Sequence, residues 1–86
     1  MFDDNTAKIY NKVTIFFNGD FQALKEFTKR ASKYDDLEVR KGRWTVDPRS
    51  ILGMLSLDLE EPVALIYPED RQIDVFLDFG GYIIKE

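Results

Sequence analysis

Residues Leu37–Leu59 read LEVRKGRWTVDPRSILGMLSLDL. Two short runs, LEVRK and RWTVD, flank Gly42, with Leu37 and Val39 facing one way and Trp44 and Val46 placed to join them. This predicts a β-hairpin whose apolar side includes a buried Trp44. PRSILGMLSL follows. Ser50 is a good N-cap, and Ile51, Met54 and Leu55 are spaced to present one apolar side, so a helix of about two turns comes next. The rest of the fold is read from the segments on either side.

Upstream, Ile9, Val13, Ile15 and Phe17 fall on one face of an alternating run, with Tyr10, Lys12, Thr14 and Phe16 on the other, which argues a strand ended by Asn18-Gly19-Asp20. Phe21, Leu24, Phe27, Ala31 and Tyr34 then recur at helical spacing opposite Lys25, Glu26, Lys29, Arg30 and Lys33, the pattern of an amphipathic helix of about three to four turns. Asn18 or Asp20 is placed to accept from its first amides, and the basic residues suit the negative end of its dipole. Downstream, PVALIY supplies a last strand. The final segment has two readings: Ile73, Val75, Leu77 and Phe79 alternate as in a strand, whereas Ile73, Phe76, Leu77 and Gly80 share a helix face. Acidic Glu69 and Asp70 before it and the glycine pair Gly80-Gly81 after it favour the helix.

Residues 1–8 lack periodicity and read as a flexible N-terminal segment ahead of a single domain over residues 9–86. The order β-α-β-β-α-β-α implies an α+β fold, a four-stranded antiparallel sheet with helices on one face. The other sheet face, carrying Tyr10 and Phe16, is then either covered by the terminal residues or left as a surface for a weak homodimer.

Composition narrows the function. At 86 residues the chain suits one small domain, and 44% hydrophobic residues are enough for a core. With neither Cys nor His it has no disulfide, no thiolate metal site and neither of the commonest nucleophile–base pairs. A net charge of −4 with dispersed Lys and Arg points away from nucleic acid and anionic membranes. The longest apolar runs, VTIFF and VALIY, are too short to span a bilayer, and the start MFDDN lacks the basic region of a secretion signal, so a cytoplasmic location is expected. No metal or cofactor is expected either: Glu60, Glu61, Glu69 and Asp70 lack loop-ligand spacing and read as solvated.

The stretch ASKYDDLEVRKGRWTVDPRSILGMLSLDL, Ala31–Leu59, resembles the central part of HPr, the histidine-containing phosphocarrier of the bacterial sugar phosphotransferase system. The match is close over about a third of the chain and carries three specific pieces: ASKYD at the end of the first helix, the hairpin that follows, and RSILGMLSLDL, which resembles the family's signature around its regulatory serine. The resemblance implies an open-faced β-sandwich. It also implies a histidine at the start of the first helix, within a Gly-Ile-His-Ala-Arg-Pro run. Counting back from ASKYD without gaps puts that histidine at Asp20, the arginine at Gln22 and the proline at Ala23.

A phosphocarrier needs an imidazole nitrogen to form a transferable phosphoramidate, helix amides to hold the phosphate oxygens and a guanidinium to offset their charge. Only the amides remain here. The expectation is therefore a non-enzymatic, HPr-like regulatory or protein-interaction module. The resemblance implies phosphorylation at Ser50 and partner docking through Arg49, Ile51, Leu52 and Leu55, with a phosphotransferase-system enzyme, a serine kinase or a transcription regulator as partner. Ile51 and Leu55 serve equally well as core, and Leu52 is the residue expected to be exposed. The alternatives are participation in, or competition for, phosphoryl transfer through Asp20, and an orphan self-association or small-molecule-binding domain.

Overall fold

The computed structural model describes residues 9–84, so the flexible segment expected at residues 1–8 lies outside it. Strand β1 (Tyr10–Ile15) leads into helix α1 (Phe21–Ala31), the hairpin of β2 (Glu38–Lys41) and β3 (Trp44–Val46), helix α2 (Ile51–Leu55), strand β4 (Val63–Pro68) and helix α3 (Gln72–Phe79). Short 3-10 turns, Glu69–Arg71 and Gly80–Tyr82, flank α3. The final segment is thus a helix, with Val75 and Phe79 as its buried side chains. Gly80 keeps right-handed helical torsions (φ −56°), so α3 passes into the 3-10 turn without a left-handed glycine cap.

The four strands form one antiparallel sheet in the order β1-β4-β2-β3. Register sets one apolar row across it: Val13 opposite Leu65, Leu65 opposite Val39, Val39 opposite Val46. Because strand side chains alternate, this row and its neighbours Ile15, Val63 and Tyr67 face the helices, where they meet Leu24, Phe27, Met54, Val75 and Phe79 in one core. The hairpin turns on two residues, Gly42 and Arg43, and only Gly42 has positive φ (60°), as a type II′ turn requires. The architecture is α+β, an open four-stranded antiparallel sheet with three helices, compatible with an open-faced sandwich.

Two expectations need correction. Trp44 has the same strand parity as Val46 but stands next to the turn, paired with Lys41, and is 69% exposed instead of buried. Ile9 is also exposed, because it precedes the first paired residue of β1. Among the described residues nothing covers the open face, and it is not uniformly apolar. Ile83 bridges to Ile15, Ile84 N–H donates to the Thr14 carbonyl and Phe16 N–H to the Tyr82 carbonyl, so the last described residues run along the outer edge of β1. Across the face itself exposed Lys12, Glu38, Arg40 and Thr45 separate Tyr10 from the half-buried Phe16, and Arg40 is paired with Glu38.

An aromatic cluster joins the layers. The Phe27 ring meets Phe17 edge-on at 5.1 Å, Phe79 at 4.8 Å and Tyr82 at 5.5 Å, linking α1 to the end of β1, to α3 and to the closing turn. Tyr34 continues it to Phe79 and donates its hydroxyl to Asp78, which Lys33 also holds at 2.9 Å. Burial, then the Asp78 hydrogen bond and charge, push the Tyr34 phenol up to about 12, while the same bonds from Tyr34 and Lys33 hold the Asp78 carboxyl below the usual carboxylate range. A raised phenol stabilises the fold fully below the ordinary tyrosine pKa of about 10, and the contribution is lost as pH rises through the folded value. Thermal unfolding should therefore begin to fall above about pH 10, and Tyr34→Phe should shrink that fall while lowering stability at pH 7. An unchanged alkaline limb in the variant would contradict this role.

Candidate functional site: the starts of α1 and α2

Both short-helix starts are built by side-chain caps. At α1, Asp20 has extended torsions, and its Oδ1 accepts from Gln22 N–H (2.9 Å) and Ala23 N–H (3.2 Å). The chain enters through Asn18 and Gly19, both with positive φ (55° and 70°), and Gly19 N–H donates to the Leu59 carbonyl at 3.0 Å. That bond ties the start of α1 to the loop that follows α2. Glu60 lies against the same turn, with its Cγ 3.2 Å from where a Cβ on Gly19 would stand.

The chemistry of this corner follows. The free amides at a helix start attract anions, and here a carboxylate of the chain itself already accepts from two of them. The second carboxylate, Glu60, adds negative charge beside them. With Gln22 and Ala23 in the next positions, the corner offers a phosphate neither an imidazole nor a guanidinium at the positions where the resemblance places them. Among the described residues no group of three or more Asp, Glu, His or Cys side chains is arranged to hold a metal ion.

At α2, Ser50 is extended, and its Oγ accepts from Gly53 N–H at 3.0 Å, the expected N-cap. Asp47 N-terminal to it closes a turn by accepting from Arg49 N–H (2.9 Å) and Ser50 N–H donates to the Asp47 carbonyl (2.9 Å). The Arg49 guanidinium also lies on Asp47, with Nη2–Oδ2 at 2.8 Å and Nε–Oδ1 at 3.1 Å, and these bonds hold the Asp47 carboxyl below the usual range. Arg49 is therefore beside Ser50 but engaged with Asp47.

Gly53 packs under the Ser50 cap: a Cβ there would crowd Ser50 Oγ at 3.3 Å and touch Val46 Cβ at an ordinary 3.5 Å. Met54 is fully buried beneath the helix and Ile51 is half-buried against the core. Leu52 is 77% exposed and Leu55 44%. The sequence expectation of Leu52 on the surface holds, Leu55 joins it, and Ile51 serves mainly as packing. Exposed Trp44 lies two residues before Val46 on the same side of β3, next to the hairpin turn. Sequence pattern assigned Trp44 to the core because parity alone does not show where the helix layer ends.

A groove of about 490 Å³ lies elsewhere, lined by Tyr10, Asp36, Glu38, Asp47 and Ile66 among others. Arg71 binds Asp36 Oδ2 at 3.0 Å, Arg40 binds Glu38 and Arg49 binds Asp47, while Asp36 Oδ1 is buried with no hydrogen-bond partner among the described residues. No helix among the described residues is long and apolar enough to cross a membrane. No family model, curated protein or solved structure matches this chain.

Asp20→Ala should cost about 1 kcal/mol in urea unfolding because it frees two amides of an eleven-residue helix, with Asp20→Asn recovering most of the loss. Loss of stability in Asp20→Asn as large as in Asp20→Ala would show that the cap is not what the side chain contributes.

Proposed function

We propose that the protein is an HPr-like regulatory or interaction module without phosphocarrier chemistry, and that it engages a protein partner through the exposed side of α2. The observation that carries this reading is Leu52, a large apolar side chain left 77% exposed on a five-residue helix, with Leu55, one turn on, 44% exposed. Monomeric proteins rarely leave adjoining large apolar side chains uncovered without an interaction to serve. The resemblance of Ala31–Leu59 to HPr supplies the partner class: a phosphotransferase-system enzyme, a serine kinase or a transcription regulator.

Ser50 is the proposed switch. A phosphate there carries nearly two negative charges, sits where Gly53 N–H now meets Oγ, and draws Arg49 away from Asp47. Its charge stands one residue from Ile51 and two from Leu52, so an apolar partner is weakened or exchanged for one bearing Arg or Lys. Asp20 acts as a helix cap in this reading and receives no phosphate.

Two reactions followed by intact mass test the reading: one with the sugar-system phosphotransferase enzyme and phosphoenolpyruvate, one with the serine kinase and ATP. The expected result is a single phosphate from the kinase alone, absent in Ser50→Ala. Leu52→Asp should then lower partner binding by about 2 kcal/mol or more, while leaving the unfolding midpoint within about 0.5 kcal/mol of the parent. A phosphate from the phosphoenolpyruvate reaction that Asp20→Asn abolishes would restore a carrier role and end this proposal.

A further inference from the structure

The two uncharged apolar runs of the sequence, VTIFF (Val13–Phe17) and VALIY (Val63–Tyr67), are treated differently by the fold. Short windows of this kind, rich in β-branched and aromatic residues, pair with copies of themselves wherever a strand edge is open. VALIY belongs to β4, which has β1 on one side and β2 on the other. VTIFF is the second half of β1 and the two residues beyond it, on an outer strand of the sheet. An outer strand presents a row of unpaired N–H and C=O groups, which proteins blunt by shortness, by charge or by a covering segment. The opposite outer strand, β3, is three residues long and runs into Asp47-Pro48. β1 has six residues and is covered instead.

The cover is Tyr82–Ile84. Phe16 N–H donates to the Tyr82 carbonyl and Ile84 N–H to the Thr14 carbonyl, both at 2.9 Å, and Ile83 is bridged to Ile15. These contacts fall on Thr14, Ile15 and Phe16, the middle of VTIFF. The Tyr82 ring anchors the segment, 5.5 Å from both Phe17 and Phe27. Where the cover stops, the edge continues through Lys12 and Tyr10, which share the outward parity of Thr14. Lys12 is exposed there and has no ion-pair partner among the described residues, the charge that blunts an open edge.

We infer that Tyr82–Ile84 is a strap that withholds the edge of β1 from a second copy of the chain, and that β1 pairs antiparallel with β1 of that copy once the strap is displaced. An antiparallel strand pair about a two-fold axis sets one edge against itself. Centred on Thr14, it places Lys12 of each copy opposite Phe16 of the other and keeps the two lysines apart. The Thr14 carbonyl and the Phe16 N–H, which the strap now satisfies, are the groups that meet the second copy. Strap and copy therefore compete for the same bonds, and the strap prevails because its tether holds it at a high effective concentration. The pairing makes no use of α2 and stands apart from the partner surface proposed there.

Two substitutions in the full chain loosen the strap: Ile84→Pro removes the N–H that meets Thr14, and Ile83→Asp places a charge where Ile83 packs against the core. Sedimentation velocity from about 10 μM to about 500 μM compares the double variant with the parent. The expected result is association at least about tenfold tighter than the parent's. Adding Thr14→Lys, which sets like charges face to face across the two-fold axis, returns it to the parent level, whereas Leu52→Asp leaves it unchanged. Hydrogen exchange reads the same edge directly: the Phe16 amide is protected in the parent, exposed in the dilute double variant and protected again when that variant is concentrated. A double variant that keeps its folded circular dichroism and associates no more than the parent overturns the proposal. Association that Thr14→Lys leaves intact also overturns it, since the contact then lies away from β1. Should the double variant lose its fold, Ile84→Pro alone, which removes a single backbone bond, carries the same comparison.

Discussion

The ring of Phe27 is the contact on which the two layers converge. It projects from the middle of α1 and receives Phe17 from the end of β1, Phe79 from α3 and Tyr82 from the closing turn. In a chain of 86 residues the core is thin, and a few large side chains must supply much of the buried apolar area. Removing a ring so enclosed costs about 3–5 kcal/mol in comparable cores, a large part of the stability of a small domain. The polar clamp of Tyr34, Lys33 and Asp78 sits at the rim of this cluster, fixing α3 to α1 where the aromatic packing gives out.

Much of this was legible from sequence because period and parity are local properties. Ile15, Phe17, Leu24, Phe27, Val39 and Leu65 declare their faces by spacing alone, and all are buried. Asp20 and Ser50 are legible as caps for the same reason, since a cap acts within three residues. What spacing does not carry is the extent of the opposing layer. Trp44 has inward parity but is left exposed, and Ile73, Phe76 and Leu77 form a regular helical stripe that turns out to be the exposed one, Val75 and Phe79 being the side that packs. The engagement of Arg49 by Asp47 was likewise not evident from the pattern of apolar residues, although the two stand only two positions apart.

The corner between α1 and α2 shows how a helix start can keep its electrostatic character while changing its use. Two of the amides that would serve an external anion instead serve Asp20, and the neighbouring Glu60 makes the same corner less receptive to phosphate. The apolar side of α2 remains a few residues away, tied to that corner by the Gly19–Leu59 backbone bond. Recognition and chemistry are thus separable in this architecture: the surface that would meet a partner does not depend on any group that would react with one.

The strand order has a consequence for how the chain assembles as it is made. β4 lies between β1 and β2, yet it is the last strand in sequence, and β1 pairs with it across nearly the full length of the domain. Until β4 has emerged, β1 and the β2–β3 hairpin share no partner, and the apolar row from Val13 to Val46 has a gap where Leu65 belongs. Closing that long loop is entropically unfavourable before the contacts it brings are made. Local structure, the hairpin and α1 above all, can form early, but the sheet becomes continuous in a single late step. During synthesis the domain is therefore at its most vulnerable to misassociation just before its central strand arrives.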